Sequence, residues 1–271
     1  MAKLDTCYAI IDAASEPDVF TLLEEFDPPA SCLYSEPIQP EIAELAPYLV
    51  EATPEVRKWL NQRDTPWGIY VYTQATMREL RQHLRKYLMV MIPGQDKPVF
   101  WRYYDPRNVW DFLEILTDWE RFCFLGPISK VETTACFINE MLFTSLQKKY
   151  PTQRRAVNKV FKFSAEQIEE IKVIAQRKYI LVLKKIIIDE MTEKYPDYIP
   201  KESDAERTAE SVLSYLIEQD INDQRNIEAI VRKLTTTSEF ILAVNNIDLL
   251  TVLRSDGTPG WYRANKYLYD I

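Results

Sequence analysis

The sequence predicts an α+β fold, with a mixed α/β N-terminal lobe over residues 1–150 and a mainly helical lobe over residues 151–271. Three observations lead to it. Short apolar runs alternate with helix-like stretches in the first half, the pattern of layered strands and helices. From Ser164 to about residue 240 the β-type alternation fades and long helical periodicity takes over. Pro151 falls between the two patterns and marks the expected boundary.

Within the first lobe, strands are expected at Cys7–Ile11, Ser31–Tyr34, Tyr48–Val50, Trp67–Thr73, Leu88–Ile92, Val99–Tyr104 and Phe122–Leu125. Helices are expected at Pro17–Phe26, Pro54–Gln62, Thr76–Tyr87 and Pro106–Trp119, several with a proline or capping residue where the first turn begins. In the second lobe, Ser164-Ala-Glu-Gln167 reads as a capping box opening a helix that runs to about Lys194. Ser203-Asp-Ala-Glu206 repeats the device for a helix through about Gln219, and another covers Gln224–Leu234. Pro196 and Pro200 separate the first two. The tail string Ser255-Asp-Gly-Thr-Pro-Gly-Trp261 looks like a turn, followed by Tyr262, Tyr267 and Tyr269 as an aromatic anchor or binding segment.

Bulk properties narrow the function. At 271 residues and 46% hydrophobic content the chain can bury a substantial core. Apolar runs such as Ile180–Leu183 and Ile186–Ile188 are split by Lys184-Lys185, short of the roughly 18 residues of a membrane span. The opening residues lack the pattern of a signal peptide, so a cytoplasmic location is expected. Cys7, Cys32, Cys123 and Cys136 form no C-x-x-C pair, which suits a reduced compartment. The net charge of −8 lies mainly in residues 1–150, so nucleic acid is not an expected partner, although Lys148-Lys149 and Arg154-Arg155 form a local basic run.

No motif for chemistry emerges. Five glycines, Gly68, Gly94, Gly126, Gly257 and Gly260, make no phosphate loop and no nucleophile elbow. His83 is the only histidine and lies among basic residues of an expected helix surface, so neither a cysteine–histidine pair nor a zinc site is expected. No cofactor is expected. Paired carboxylates drawn from 41 acidic residues keep a carboxylate-dependent hydrolase open as the alternative. In the string Phe100-Trp-Arg-Tyr-Tyr-Asp-Pro-Arg107, Asp105 is expected to cap a helix opened by Pro106, with Arg102 or Arg107 paired to a carboxylate elsewhere.

A series of strings carries a resemblance. Tyr8-Ala-Ile-Ile-Asp12-Ala-Ala14 comes first, then Cys32-Leu-Tyr34, Ala46-Pro-Tyr-Leu-Val50 and Trp67-Gly68-Ile69. The helix Glu79–Arg85 follows, then Arg102-Tyr-Tyr104-Asp105-Pro106, and Phe124-Leu-Gly126-Pro127-Ile128 closes the series. Over residues 8–130 the chain resembles the type VI secretion adaptor and effector-chaperone proteins, a family first catalogued as a domain of unknown function, whose R-[FY]-[FY]-D-P signature is similar to residues 102–106. The resemblance implies a non-enzymatic adaptor in the cytoplasm of a Gram-negative bacterium. Such a protein would bind a cognate type VI effector and help load it onto the VgrG spike.

Holding a client needs exposed apolar surface. Trp101, Trp110 and Trp119 are candidates in the first lobe, with core packing as their commoner use. In the long helix, Tyr179, Val182 and Ile186 widen the apolar face beyond one stripe, so that it is buried on several sides or offers a groove.

Overall fold

The structure is a computed structural model that describes residues 4–34, 37–135, 139–150, 160–197, 199–237, 239–240, 242 and 246–269. Cys136, Pro151, Arg154 and Arg155 lie outside the described residues. The fold is α+β, in two compact units of residues 1–171 and 172–271.

The first unit runs β1 (Thr6–Asp12), α1 (Val19–Phe26), β2 (Ala30–Cys32), α2 (Pro40–Ala43), β3 (Pro47–Glu51), α3 (Pro54–Leu60) and β4 (Gly68–Thr73). Next come α4 (Met77–Leu84) with a 3-10 turn at Arg85–Tyr87, β5 (Met89–Met91), β6 (Val99–Phe100), α5 (Val109–Ile115) and α6 (Asp118–Leu125). The unit continues through β7 (Ile128–Thr133), β8 (Asn139–Leu142), α7 (Thr144–Lys149) and β9 (Phe161–Lys162), and α8 (Ala165–Lys194) begins in it.

Six strands form an antiparallel sheet in the order β2-β3-β1-β4-β7-β8. Successive side chains of a strand point to opposite faces, and here both faces are covered. Tyr8 and Ile10 join Leu49, Ile69, Val71 and Val131 in a core closed by Leu80 of α4, Phe112 of α5 and Phe124 of α6. Ala9 and Ile11 join Val50 and Tyr70 in a second core closed by Val19 and Leu22 of α1 and Val56 and Leu60 of α3. Two-sided burial is why β1 reads as an unbroken apolar run and not as an alternation. A smaller sheet, β6-β5-β9, lies beside the first core.

Three of the elements expected in the first lobe take another form. Phe122–Leu125 is the end of α6 and not a strand, because Thr117 and Glu120 form a capping box that starts a helix at Asp118. The same box divides the expected helix Pro106–Trp119 in two. The expected strand Val99–Tyr104 is regular only over Val99–Phe100, since the next residues leave the ladder to enter a turn.

The second unit holds the rest of α8, then α9 (Glu202–Glu218), α10 (Gln224–Thr236), a 3-10 segment Ile247–Leu253 and α11 (Gly260–Tyr269). Ser164 and Gln167 make the expected capping box at the start of α8, each accepting from the other's backbone amide. Ser203 does not cap: α9 begins at Glu202 behind Lys201, which gives no side-chain cap. Leu183 and Ile187 of α8, Val212 and Leu216 of α9, and Ile230 and Leu234 of α10 form this unit's core. The expected tail turn ends at Pro259, whose carbonyl accepts from the amides of Tyr262 and Arg263 and starts α11.

Gly68 begins β4 at φ +148, and a Cβ there would lie 1.8 Å from the Ile10 carbonyl oxygen. Gly68→Ala is therefore expected to destabilise the chain by about 2–4 kcal/mol, through left-handed strain and displacement of β1 from β4. Chemical denaturation checks this, and a loss below that range would mean that the two strands separate easily.

Candidate functional site

The strings that carry the resemblance come together in space at two places in the first unit. The first is the end of β1. The Asp12 amide donates to the Trp67 carbonyl at 2.7 Å, which aligns the end of β1 with the start of β4. The Asp12 carboxylate, its side chain 6% exposed, accepts from the Ala14 amide at 3.3 Å and the Ser15 hydroxyl at 3.0 Å. Its third donor is the Arg102 guanidinium at 3.1 Å, from a segment 90 residues away.

That segment is the R-Y-Y-D-P string, and it folds as a tight turn. Tyr103 and Tyr104 are buried, with rings meeting edge to face at 5.3 Å. Burial raises the Tyr104 phenol well above its ordinary value, and the Asp12 and Tyr34 charges add to the rise. Asp105 is not the cap of a helix. One carboxylate oxygen accepts from the Arg107 amide at 2.9 Å and both oxygens accept from its guanidinium, while the Asp105 carbonyl receives the Asn108 and Val109 amides. Asp105 thus satisfies its own turn, Pro106 is buried beside it, and α5 starts only at Val109. Trp67 is fully buried, its ring 4.9 Å from that of Tyr70.

The second place is the end of α6. Gly126 sits at φ +55 with the His83 ring against it, so that a Cβ would lie 2.2 Å from the imidazole. A His83 ring nitrogen is 2.6 Å from the Phe124 carbonyl, and Thr73 donates to the Pro127 carbonyl at 2.8 Å. His83 is half-buried between α4 and α6 and not on the basic helix surface the sequence suggested.

A polar network on the sheet was not foreseen. Arg57 of α3 donates to Glu132 of β7 at 2.6 Å, to the Tyr72 hydroxyl at 2.8 Å and to the Cys7 sulfur at 3.3 Å. Tyr72 donates to the other Glu132 oxygen at 2.6 Å, and Lys130 approaches it at 3.2 Å. Burial pushes the Glu132 carboxyl up, but hydrogen bonds from Tyr72 and Arg57 and the Arg57 charge outweigh it and leave its pKa lowered. Burial pushes the Cys7 thiol up, against the pull of Tyr72 and Arg57. Every charged group in this network has a partner of opposite sign, which is the arrangement of a structural tie. Its only signal was weak, at Val131-Glu-Thr133, where two β-branched residues flank an acidic one within β7.

The candidate client-binding residues separate into two groups. Trp101 is half-buried between Phe112 and Phe163, and Trp110 is half-buried and donates to Thr133 at 3.0 Å. Ile186 is buried in the core of the second unit, and Tyr179 is half-buried with its hydroxyl on the Gln224 carbonyl. These four serve packing. Trp119 and Val182 are exposed, as are Met89, Phe100, Trp261 and Tyr262. Among the described residues, no group of three or more His, Cys, Asp or Glu side chains is placed to hold a metal ion. No helix among them is long and apolar enough to cross a membrane.

The model of a family described as a domain of unknown function (DUF4123) matches residues 7–122. The match takes in Asp12, Trp67, Gly68 and the whole Arg102–Pro106 turn, and ends before Gly126-Pro127. No curated protein and no solved structure matches the chain.

Two expectations test these ties. Asp12→Ala removes three hydrogen bonds from a buried turn and is expected to cost about 2–3 kcal/mol. Arg102→Ala removes one partly exposed donor and should cost about 1 kcal/mol. Equal losses in denaturant titration would contradict that ordering. The lowered Glu132 pKa contributes stability that is present above the ordinary carboxyl value of 4.5 and is lost as pH falls through the lowered folded-state value. Glu132→Gln should therefore remove part of the wild-type acid-side slope, and identical slopes for the two proteins would rule the contribution out.

Proposed function

We propose that the chain is a non-enzymatic adaptor that binds a cognate type VI secretion effector in the cytoplasm and helps load it onto the VgrG spike. The observation that carries this reading is the DUF4123 match over residues 7–122, which takes in most of the stretch that resembles effector adaptors. The chemistry of the matched stretch supports it. Asp12, Arg102, Asp105 and Arg107 are bonded to one another or to their own turns, as residues that hold a fold together are. Exposed apolar side chains on both units, Phe100 and Trp119 on one and Val182 and Trp261 on the other, supply the kind of surface a partner buries.

A tagged chain purified from its native bacterium in gentle salt is expected to bring down one large effector, with or without the spike protein. Single Asp or Glu substitutions outside the Asp12 and Glu132 ties should leave that complex intact. Elution of the chain alone at endogenous level would overturn the adaptor reading. Hydrolysis abolished by one carboxylate change, with the complex unaffected, would favour an enzyme.

A further inference from the structure

An apolar groove of about 410 Å³ lies in the first unit, between the end of α4 and the small sheet. Its floor is Leu33 and Leu88, both buried, and its walls are Tyr34, Met89 and Phe100. Phe100 and Met89 remain 39% and 40% exposed, and the Phe100 ring stands edge-on to Tyr34 at 5.7 Å. The rim differs in kind. Among the described residues lining the groove, the charged ones are Arg85 and Lys86, both positive, in a chain of net charge −8.

Among the described residues, β6 is an outer strand of the small sheet. In the β5–β6 ladder Phe100 stands opposite Met89, and the Trp101 amide donates to the Leu88 carbonyl. The alternation of an antiparallel ladder then turns the Phe100 amide and carbonyl away from β5, toward the edge of the small sheet. An extended chain laid along that edge finds a donor, an acceptor, an apolar well and the exposed Lys86 ammonium together.

We propose that this groove takes an extended acidic segment of the client, which adds to the edge of β6, seats an apolar side chain against Leu33, Met89 and Phe100, and sets a carboxylate against Lys86. The proposal rests on the adaptor reading for the identity of the client. The recognition itself follows from the groove: burial of Phe100 and Met89 drives association, and the exposed Lys86 charge selects the sign of the occupant.

The test uses the full chain and three labelled peptides in fluorescence anisotropy: Glu-Leu-Phe-Glu-Leu, its counterpart Lys-Leu-Phe-Lys-Leu, and Glu-Ala-Ala-Glu-Ala. The first is expected to bind at least about fivefold more tightly than either of the others, with an affinity that falls as salt is raised. Lys86→Glu, at an exposed position, should weaken the acidic peptide and strengthen the basic one, whereas Phe100→Ser should weaken both. Equal affinity for the acidic and basic peptides, absence of binding included, overturns the proposal, as does a Lys86→Glu variant that binds like wild type. Co-purification separates this inference from the adaptor reading. A client retained equally by wild type, Lys86→Glu and Phe100→Ser overturns the groove and leaves the adaptor. A chain that shows the expected peptide preference but recovers no client keeps the groove and overturns the adaptor.

Discussion

Strand β1 pairs with β3 on one side and β4 on the other, and its two faces feed two different cores. A strand so enclosed can carry no unpaired charge along its length, and the first place a carboxylate can stand is where it stops. Asp12 stands there, still buried, and needs donors that its own turn only partly supplies. Arg102 completes the set. The link between β6 and α5 is thereby fixed to the end of the central strand, although 90 residues separate the two partners.

This tie explains which parts of the fold could be read in the residues. The strands of the doubly covered sheet announced themselves as apolar runs, because burial on both faces leaves no room for alternation. Strand β7 did not, since Lys130 and Glu132 take part in the Arg57 network and dilute its apolar content. Phe122–Leu125 misled for the opposite reason. A short apolar run is common to buried strands and buried helix ends, and only the Thr117–Glu120 box upstream distinguishes them. The Asp105-Pro106 pair was a fair sign of a helix start. The neighbouring Arg107 claims both oxygens of Asp105, so the helix begins three residues past the proline.

In the helical half, the extent of α8 was legible from its cap and its length, but the use of its apolar residues was not. Ile168 and Ile171 pack on the first core, while Leu183, Ile186, Ile187 and Met191 belong to another. Two burial requirements along one helix produce an apolar circumference wider than either alone, which in sequence looks like surplus surface for a partner. The true surplus is narrower, at Val173, Leu181 and Val182. The aromatic tail behaves differently: the turn ending at Pro259 starts a helix that leaves Trp261 and Tyr262 outward while Arg263 is buried against the Leu253 carbonyl at 3.1 Å.

The segment from Phe100 to Arg107 joins the structural and the functional sides of the first unit. Arg102 is held by Asp12, Tyr103 and Tyr104 are buried, and Asp105 closes the turn, so the backbone from residue 101 onward has little freedom. Phe100 precedes that anchored stretch and inherits its position from it, with its side chain on the groove and its amide on the open edge. Met89 and Lys86 face the same groove from exposed positions, where substitutions away from structural ties cost little stability. A rigid signature and an adjustable rim are therefore combined within one stretch of structure. The same fold can change the charge of the segment it accepts without disturbing the tie that holds Phe100 in place.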